Sequence, residues 1–273
     1  MRIQHNIAAL NSHRQLGSNN GAVSKNLEKL SSGYRINRAG DDAAGLAISE
    51  KMRAQITGLD TASKNAQDGV SLIQTAEGAL TEVHSMLNRM EELASQSANG
   101  TYSDSVDRAA IQEEFTSLST EITRISASTT FNGITLLGGT LSIDLQIGAT
   151  NSTTDRLDVK VSNMSATSLN VASTTAVTTQ TNARATMDSV KTAINTVSTA
   201  RGKMGAIQNR LEHTINNLGV TSENMSAAES RVRDVDMAKE MMTYTKNNIL
   251  TQASQAMLAQ ANQLPQGVLQ LLQ

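Results

Sequence analysis

Cysteine and tryptophan are absent from the 273 residues, and proline occurs once, at Pro265. Without cysteine, neither a disulfide framework nor a thiolate metal site can form. The aromatic complement is Phe115, Phe131, Tyr34, Tyr102 and Tyr244, so large ring anchors are few. A chain with so little proline to interrupt it is best suited to long helices. Lysine and arginine number 23 against 25 aspartates and glutamates, a net charge of −2, and the cations form no run. A phosphate backbone would find no counterion-releasing patch, so nucleic acid is not an expected partner. No segment is apolar over the length a bilayer demands, so membrane insertion is not expected. Residues 1–16 are broken by Gln4, His5, Asn6, Asn11, His13 and Arg14 and lack the apolar core of a cleavable signal peptide. Any export is expected to use a route that needs no such leader.

What is present is periodicity. Leu59, Ala62, Ala66, Gly69, Ile73, Ala76, Leu80, Val83, Leu87, Met90 and Ala94 recur at alternating spacings of three and four. That heptad predicts a helix of roughly 50 Å from Leu59 to Ala94, stopped at Asn99-Gly100. Ile111, Phe115, Leu118, Ile122 and Ile125 repeat the spacing after a bend at 99–105. Downstream it returns through Ala183, Met187, Val190, Ile194, Val197, Met204, Leu211, Ile215, Leu218, Met225 and Val232, interrupted by Arg201, Gln208, Ser222 and Glu229. Each stripe needs a partner to cover it, so upstream and downstream helices are expected to pack as a coiled coil or bundle. The fold class is mainly α.

Between the helices, residues 129–181 turn rich in Ser, Thr, Gly and Asn. Phe131-Asn132-Gly133 marks a turn. Leu141, Ile143, Leu145 and Ile147 alternate with polar residues, and so do Leu157, Val159 and Val161, the pattern of a small β-hairpin. The stretch 162–181 suits a surface loop, a weak strand or a glycan-bearing segment equally.

The ends have their own character. From Asn247 to Gln273 there is no charged residue and no histidine. Gln252, Gln255, Gln260, Gln263, Gln266 and Gln270 stand beside Leu250, Ala253, Met257, Leu264, Val268 and Leu271. Uncharged amides cost far less to desolvate than ions, so such a helix reads as an interface element. Its expected mate is the N-terminus, where Ile3, Ile7, Leu10, Leu16, Val23, Leu27, Leu30 and Tyr34 fall at roughly helical intervals. Two thin stripes bury little area alone, so both ends are expected to order fully only when neighbouring copies cover them, a hypothesis that protease trimming of the dilute monomer tests.

Candidate chemistry is sparse. Asp41-Asp42 reads as a helix cap and start rather than a catalytic pair. His5, His13, His84 and His213 are scattered without ligand spacing. Gly138-Gly139 lacks the phosphate-binding glycine pattern and reads as a turn before a strand. No enzyme and no cofactor are expected. Glu229, Arg231, Arg233, Asp234, Asp236, Lys239 and Glu240 form a mixed charge cluster before the uncharged tail. It is either a solvated face with pairs such as Glu229–Arg233, or a set of inter-subunit contacts with Arg35 and Arg38. Several Asn-x-Ser/Thr triplets occur, and O-linked modification of the Ser/Thr-rich middle is the better expectation for such a chain.

The run 1–10, the run Leu30-Ser31-Ser32-Gly33-Tyr34-Arg35-Ile36-Asn37-Arg38-Ala39-Gly40-Asp41-Asp42-Ala43-Ala44-Gly45-Leu46-Ala47-Ile48, and the tail from Ala227 to Gln273 closely resemble bacterial flagellin. The resemblance covers about the first 140 and last 90 residues. It implies an inner coiled-coil domain from both termini (1–42 and 229–273), an α-rich domain (43–130 and 182–228) and a hairpin-bearing connection (131–181). It also implies a secreted, extracellular filament subunit exported by the flagellar type III apparatus. The implied partners are further copies of itself, an export chaperone, the filament cap and hook-associated proteins. Assembly contacts are expected at Ile3, Ile7, Leu10, Leu27, Leu30, Arg35, Arg38, Arg231, Asp234, Leu250, Met257, Leu264 and Leu269. Recognition by the innate immune receptor Toll-like receptor 5 maps by motif onto Arg89, Leu93, Gln96 and Glu114, with Asn88 and Met90-Glu91 departing from the pattern.

Two other readings share some of these features. A chemoreceptor-type signalling rod is also heptad-based, but it needs a membrane anchor and tolerates no uncharged tip. A hook–filament junction protein shares the terminal helices and stops at a short ring.

Overall fold

The computed structural model describes residues 6–104, 106–172 and 177–271, with side chains described through residue 263. In chain order the elements are α1 (Ile7–Ser32), α2 (Ala43–Ser97), α3 (Asp107–Ser128), β1 (Thr130–Phe131), β2 (Ile134–Thr135), β3 (Leu141–Gln146), β4 (Arg156–Val161), α4 (Gln180–Arg233) and α5 (Met237–Leu271). The chain is mainly α, with a small antiparallel β region in its middle, as the patterns predict. Its residues group into two compact units, one built from the two ends (through Ala54 and from Asn224), the other from Gln55–Glu223.

In the second unit the heptad stripe of α2 lies inside. Ala62, Ala66, Ile73, Ala76, Leu80, Val83, Leu87, Met90 and Ala94 are all buried. Val190, Val197, Met204 and Leu211 of α4 and Phe115 and Ile122 of α3 join the same core. Burial of each such large side chain stabilises by about 1.5–3 kcal/mol, which is why the stripe dictates which face turns inward. The polar breaks in the α4 stripe have partners. Arg201 pairs with Glu77 of α2 at 3.6 Å, and Ser222 Oγ donates to Asp60 Oδ1 at 2.9 Å. Gln208 stays on its own helix, donating to Glu212 at 3.1 Å.

Helix α2 ends at Ser97, just before the expected stop. The turn to α3 is organised by Arg108, a buried cation at the start of α3. Its Nε donates to Ser97 O at 2.8 Å, Nη2 to Asn99 O at 2.7 Å and Nη1 to Tyr102 O at 2.8 Å, and it also pairs with Asp104. The last carbonyls of a helix have no donor within it, and here one guanidinium serves the final carbonyl of α2 and two more in the turn that follows.

Asn132 (φ 49°) and Gly133 (φ 80°) turn β1 into β2 with the left-handed pair that two-residue hairpins favour. In the second hairpin Leu141 faces Val161, Ile143 faces Val159 and Leu145 faces Leu157, so the alternating apolar residues share one side. That side meets α2 at Gly69, where a Cβ would lie 2.5 Å from Leu145 Cδ1. Glycine in the heptad thus gives the hairpin room to lie against the helix, where Asn65 Nδ2 also donates to Gln146 O at 3.0 Å.

The Ser/Thr-rich return, left open by its composition, contains no strand among its described residues and is tightly packed. Met164, Ala166, Leu169, Val171 and Val177 are buried. Met164 N donates to Leu137 O at 2.9 Å, Val177 N to Gln112 Oε1 at 2.7 Å, and Ser97 Oγ to Val177 O. The small hydroxyl residues let the backbone lie close to the helices, while every few positions an apolar side chain anchors it.

Candidate functional site

In the first unit α1 and α5 pack along one another. The N-cap of α1 is Asn6, whose side chain accepts from Ala9 N at 3.1 Å and whose Nδ2 donates to Ala261 O at 2.7 Å. The more buried residues of α1 include Ala9, Ser12, Leu16, Asn19, Val23, Asn26 and Leu30, spaced three and four apart. Their counterparts on α5 are Glu240, Tyr244, Asn247, Thr251, Ser254, Leu258 and Ala261, spaced likewise. The seam is therefore a heptad in which polar and apolar positions mix. Asn19 Nδ2 donates to Ser254 Oγ at 3.0 Å. The Asn26 amide, oriented by its partners, donates to Glu240 Oε1 at 3.0 Å and to Ala22 O at 3.2 Å, and accepts from Asn247 Nδ2 at 3.0 Å.

With polar side chains inside, many of the largest apolar ones turn out. Ile7 (57 % exposed), Leu10 (63 %) and Leu27 of α1 face solvent, as do Met242, Ile249 (60 %), Leu250 and Met257 of α5. Leu30 is half-buried in the seam. Ile3 lies outside the described residues, as do the side chains of Leu264 and Leu269. The uncharged stretch of α5 thus carries an apolar face that its own chain does not cover.

The segment between α1 and α2 is fixed by short-range polar contacts. Gly33 (φ 76°) ends α1 in the left-handed conformation that glycine adopts without strain, and its N–H donates to Lys29 O. Tyr34 and Asp234 pair as an isolated antiparallel bridge, with Arg35 N donating to Arg233 O at 2.7 Å and Val235 N to Gly33 O at 3.0 Å. The Asp41 carboxylate accepts from Arg38 N at 3.1 Å and Asn37 N at 3.3 Å, and the backbone bond from Arg38 is the main reason its pKa falls below the usual range. Asp42 caps α2, accepting from Gly45 N at 2.9 Å. The capping role read from Asp41-Asp42 is thus divided between a turn and a helix start. Gly45 is buried, and a Cβ there would sit 2.7 Å from Ile36 Cδ1.

The charge cluster has partners inside the chain. Arg38 Nε meets Glu28 at 2.8 Å, Arg35 Nη2 donates to Val232 O, and Ser230 Oγ donates to Asp234 at 2.6 Å. Glu229 and Arg233 stand at 4.0 Å, and Glu229 also accepts from Ser49 Oγ at 3.2 Å. Arg231 is exposed.

The remaining four singled-out residues lie in the second unit. Arg89 donates to Glu114 at 2.8 Å and to Glu92 at 3.0 Å, and the hydrogen bond to Glu114, then that to Glu92, raises the guanidinium pKa. Gln96 and Glu114 are exposed, whereas Leu93 is buried. The motif therefore offers a partner three side chains at most.

Sequence reasoning missed Ser12, Asn19 and Asn26 as seam residues. Their seven-residue spacing is the signal in the sequence, and apolar periodicity does not register it because serine and asparagine are polar.

Residues 3–142 match the model of the bacterial flagellin N-terminal helical region, and residues 187–272 that of the C-terminal helical region. The chain is 58 % identical over 273 residues to a flagellin of Halalkalibacterium halodurans, with both chains fully covered. It is 55 % identical to a flagellin of Bacillus subtilis strain 168, again covering all of both chains. A flagellar filament 33 kDa core protein of Treponema phagedenis shares 47 % identity, also over the whole of each. With its two family regions in order and its full length matched, the chain belongs to the bacterial flagellin family, whose members are structural subunits of the flagellar filament.

Proposed function

We propose that the chain polymerises into the filament used for motility through the outward apolar faces of its terminal helices. The observation that carries this reading is the division of α1 and α5 into a partly polar seam within the chain and an apolar exterior. Covering a Met, Ile or Leu from that exterior stabilises by about 1.5–3 kcal/mol, while the uncharged surroundings cost little to desolvate. Ile7, Leu10, Leu27, Leu250 and Met257 are the proposed contacts, with Ile3, Leu264 and Leu269 on the same segments and Leu30 holding the seam. Arg35, Arg38 and Asp234 shape the turn that presents α1, and Arg231 is an exposed cation within reach of a neighbour. Purified chain added to filament fragments is expected to elongate into long, pelletable fibres. Persistence as a monomer at high concentration with seeds would remove the reading, and arrest at short rings would favour a junction protein.

The same reading includes secretion by the flagellar type III apparatus, a chaperone over the uncharged segment, and cap and hook-associated proteins at the polymer ends. Truncation from residue 247 onward is expected to abolish chaperone binding in a pull-down, and retained binding counts against that partner. Recognition by Toll-like receptor 5 is a second reading, favoured by the exposed, doubly paired Arg89. Arg89→Glu is expected to weaken receptor binding, and unchanged binding removes it.

A further inference from the structure

Sulfur in this chain is held in methionine alone, since there is no cysteine among its residues and methionine occurs twelve times. The exposure of these thioethers is sharply divided. Met90, Met164 and Met204 are buried, and Met52, Met86, Met187 and Met225 are half-buried. Among the described residues, the exposed ones are Met237 (49 %), Met241 (49 %), Met242 (68 %) and Met257 (63 %), and all four stand on α5. Met242 and Met257 lie with Ile249 and Leu250 on the apolar exterior, while Met237 and Met241, at i,i+4 spacing near the start of the helix, are exposed on its other flank.

We infer that α5 is an oxidation-sensitive assembly face, on which hydroperoxides act before they reach the methionines of the folded core. This inference rests on the assembly reading above. The reaction is a two-electron oxygen transfer. The methionine sulfur attacks the peroxide, its O–O bond breaks, one oxygen stays on sulfur as the sulfoxide, and once protons are redistributed the other leaves as water from hydrogen peroxide or as the alcohol from an organic hydroperoxide. No metal, thiol or further oxidant is required. The product replaces a soft apolar thioether by a strong dipole that needs hydrogen-bond partners. In a free subunit water solvates that dipole and the fold is unaffected. In a subunit joining the polymer it must be stripped of water against apolar neighbours, where each unsatisfied polar group is costly. Oxidation therefore stops growth without unfolding the subunit. Copies already assembled cover the same side chains and resist. Reversal needs a methionine sulfoxide reductase and a thiol reductant, one enzyme type for each sulfoxide epimer.

The experiment uses the full chain, brief hydrogen peroxide treatment quenched by catalase, peptide mapping by mass, and seeded elongation followed by sedimentation. Met237, Met241, Met242 and Met257 are expected to oxidise while Met90, Met164 and Met204 remain intact. Elongation is expected to slow by about ten-fold or more, with circular dichroism unchanged. Treatment with both reductase types and dithiothreitol should restore it. In the variant carrying Met237→Leu, Met241→Leu, Met242→Leu and Met257→Leu, elongation with peroxide is compared with the same variant's untreated rate, and the two are expected to be equal whatever that untreated rate is. Reductase rescue decides the matter on the natural chain if that variant elongates poorly. The inference is overturned if oxidised chain elongates normally, if core methionines oxidise first, or if reduction of the sulfoxides restores nothing. Untreated chain that fails to elongate brings down the assembly reading and this inference together, whereas untreated and oxidised chain growing alike brings down this inference alone.

Discussion

The Arg233 guanidinium lies 4.7 Å from the centroid of the Tyr34 ring, joining the end of α4 to the residue after the α1 cap. The same group donates through Nη1 to Glu50 Oε1 at 2.8 Å, so one side chain ties α1, α2 and α4 in the first unit. Cation–π contacts and partly exposed ion pairs each contribute about 0.5–1 kcal/mol. Arg233→Ala is therefore expected to speed hydrogen exchange of the Arg35 and Val235 amides by about ten-fold, and Arg233→Lys by less, because an ammonium keeps the charge but not the planar stack. Equal protection in all three chains would show the contact to be passive.

Arg108 makes a separate prediction in the second unit. Arg108→Met keeps the aliphatic stem but leaves Ser97 O, Asn99 O and Tyr102 O without their donor. The expected loss is about 3 kcal/mol, or roughly 6–12 °C in the thermal midpoint. Calorimetry showing no shift would mean that water replaces the guanidinium at no cost.

Two glycines of α2 should respond in opposite directions. Gly69→Val collides with Leu145 and is expected to destabilise by about 1–3 kcal/mol. Gly78 has nothing within 4 Å of its would-be Cβ, so Gly78→Ala should stabilise by about 0.5–1 kcal/mol through helix propensity alone. Urea unfolding of both variants tests the pair.

Acid should loosen the 37–42 turn. The Asp41 pKa is lowered from its ordinary 3.8, chiefly by the backbone N–H of Arg38. In the unfolded chain the carboxyl takes up its proton at higher pH than in the folded one. Its contribution is thus fully present above the ordinary value and drains away as pH falls through the lowered folded value. Amide exchange at Asn37 and Arg38 is expected to accelerate in that window in the natural chain, while Asp41→Asn should show the looser turn at every pH.

The second unit was legible in the sequence because its helices bury apolar residues at heptad spacing and its hairpin alternates them. Ile73, Leu80 and Val83 declare the inner face of α2, and Leu157, Val159 and Val161 that of β4. The α1–α5 pair was only half legible. Ile7, Leu10 and Leu27 belong to the apolar stripe by which the N-terminus was expected to meet the tail, whereas the seam within the chain runs through Ser12, Asn19 and Asn26 and leaves those three exposed. An amide is acceptable inside only when a particular partner, such as Ser254 or Glu240, stands opposite, and pattern alone does not reveal partners. The return segment was opaque for a related reason. Its serines and threonines outnumber Met164, Leu169 and Val171, though these few anchors decide its path. The receptor motif pointed to Leu93 without indicating that the residue is covered.

Directional bonds also fix alignment, which grease does not. Sliding α5 along α1 by one heptad would take Ser254 from Asn19 and Glu240 from Asn26 together. These particular rungs meet at one setting, and that setting fixes how far each end of the chain runs along the other.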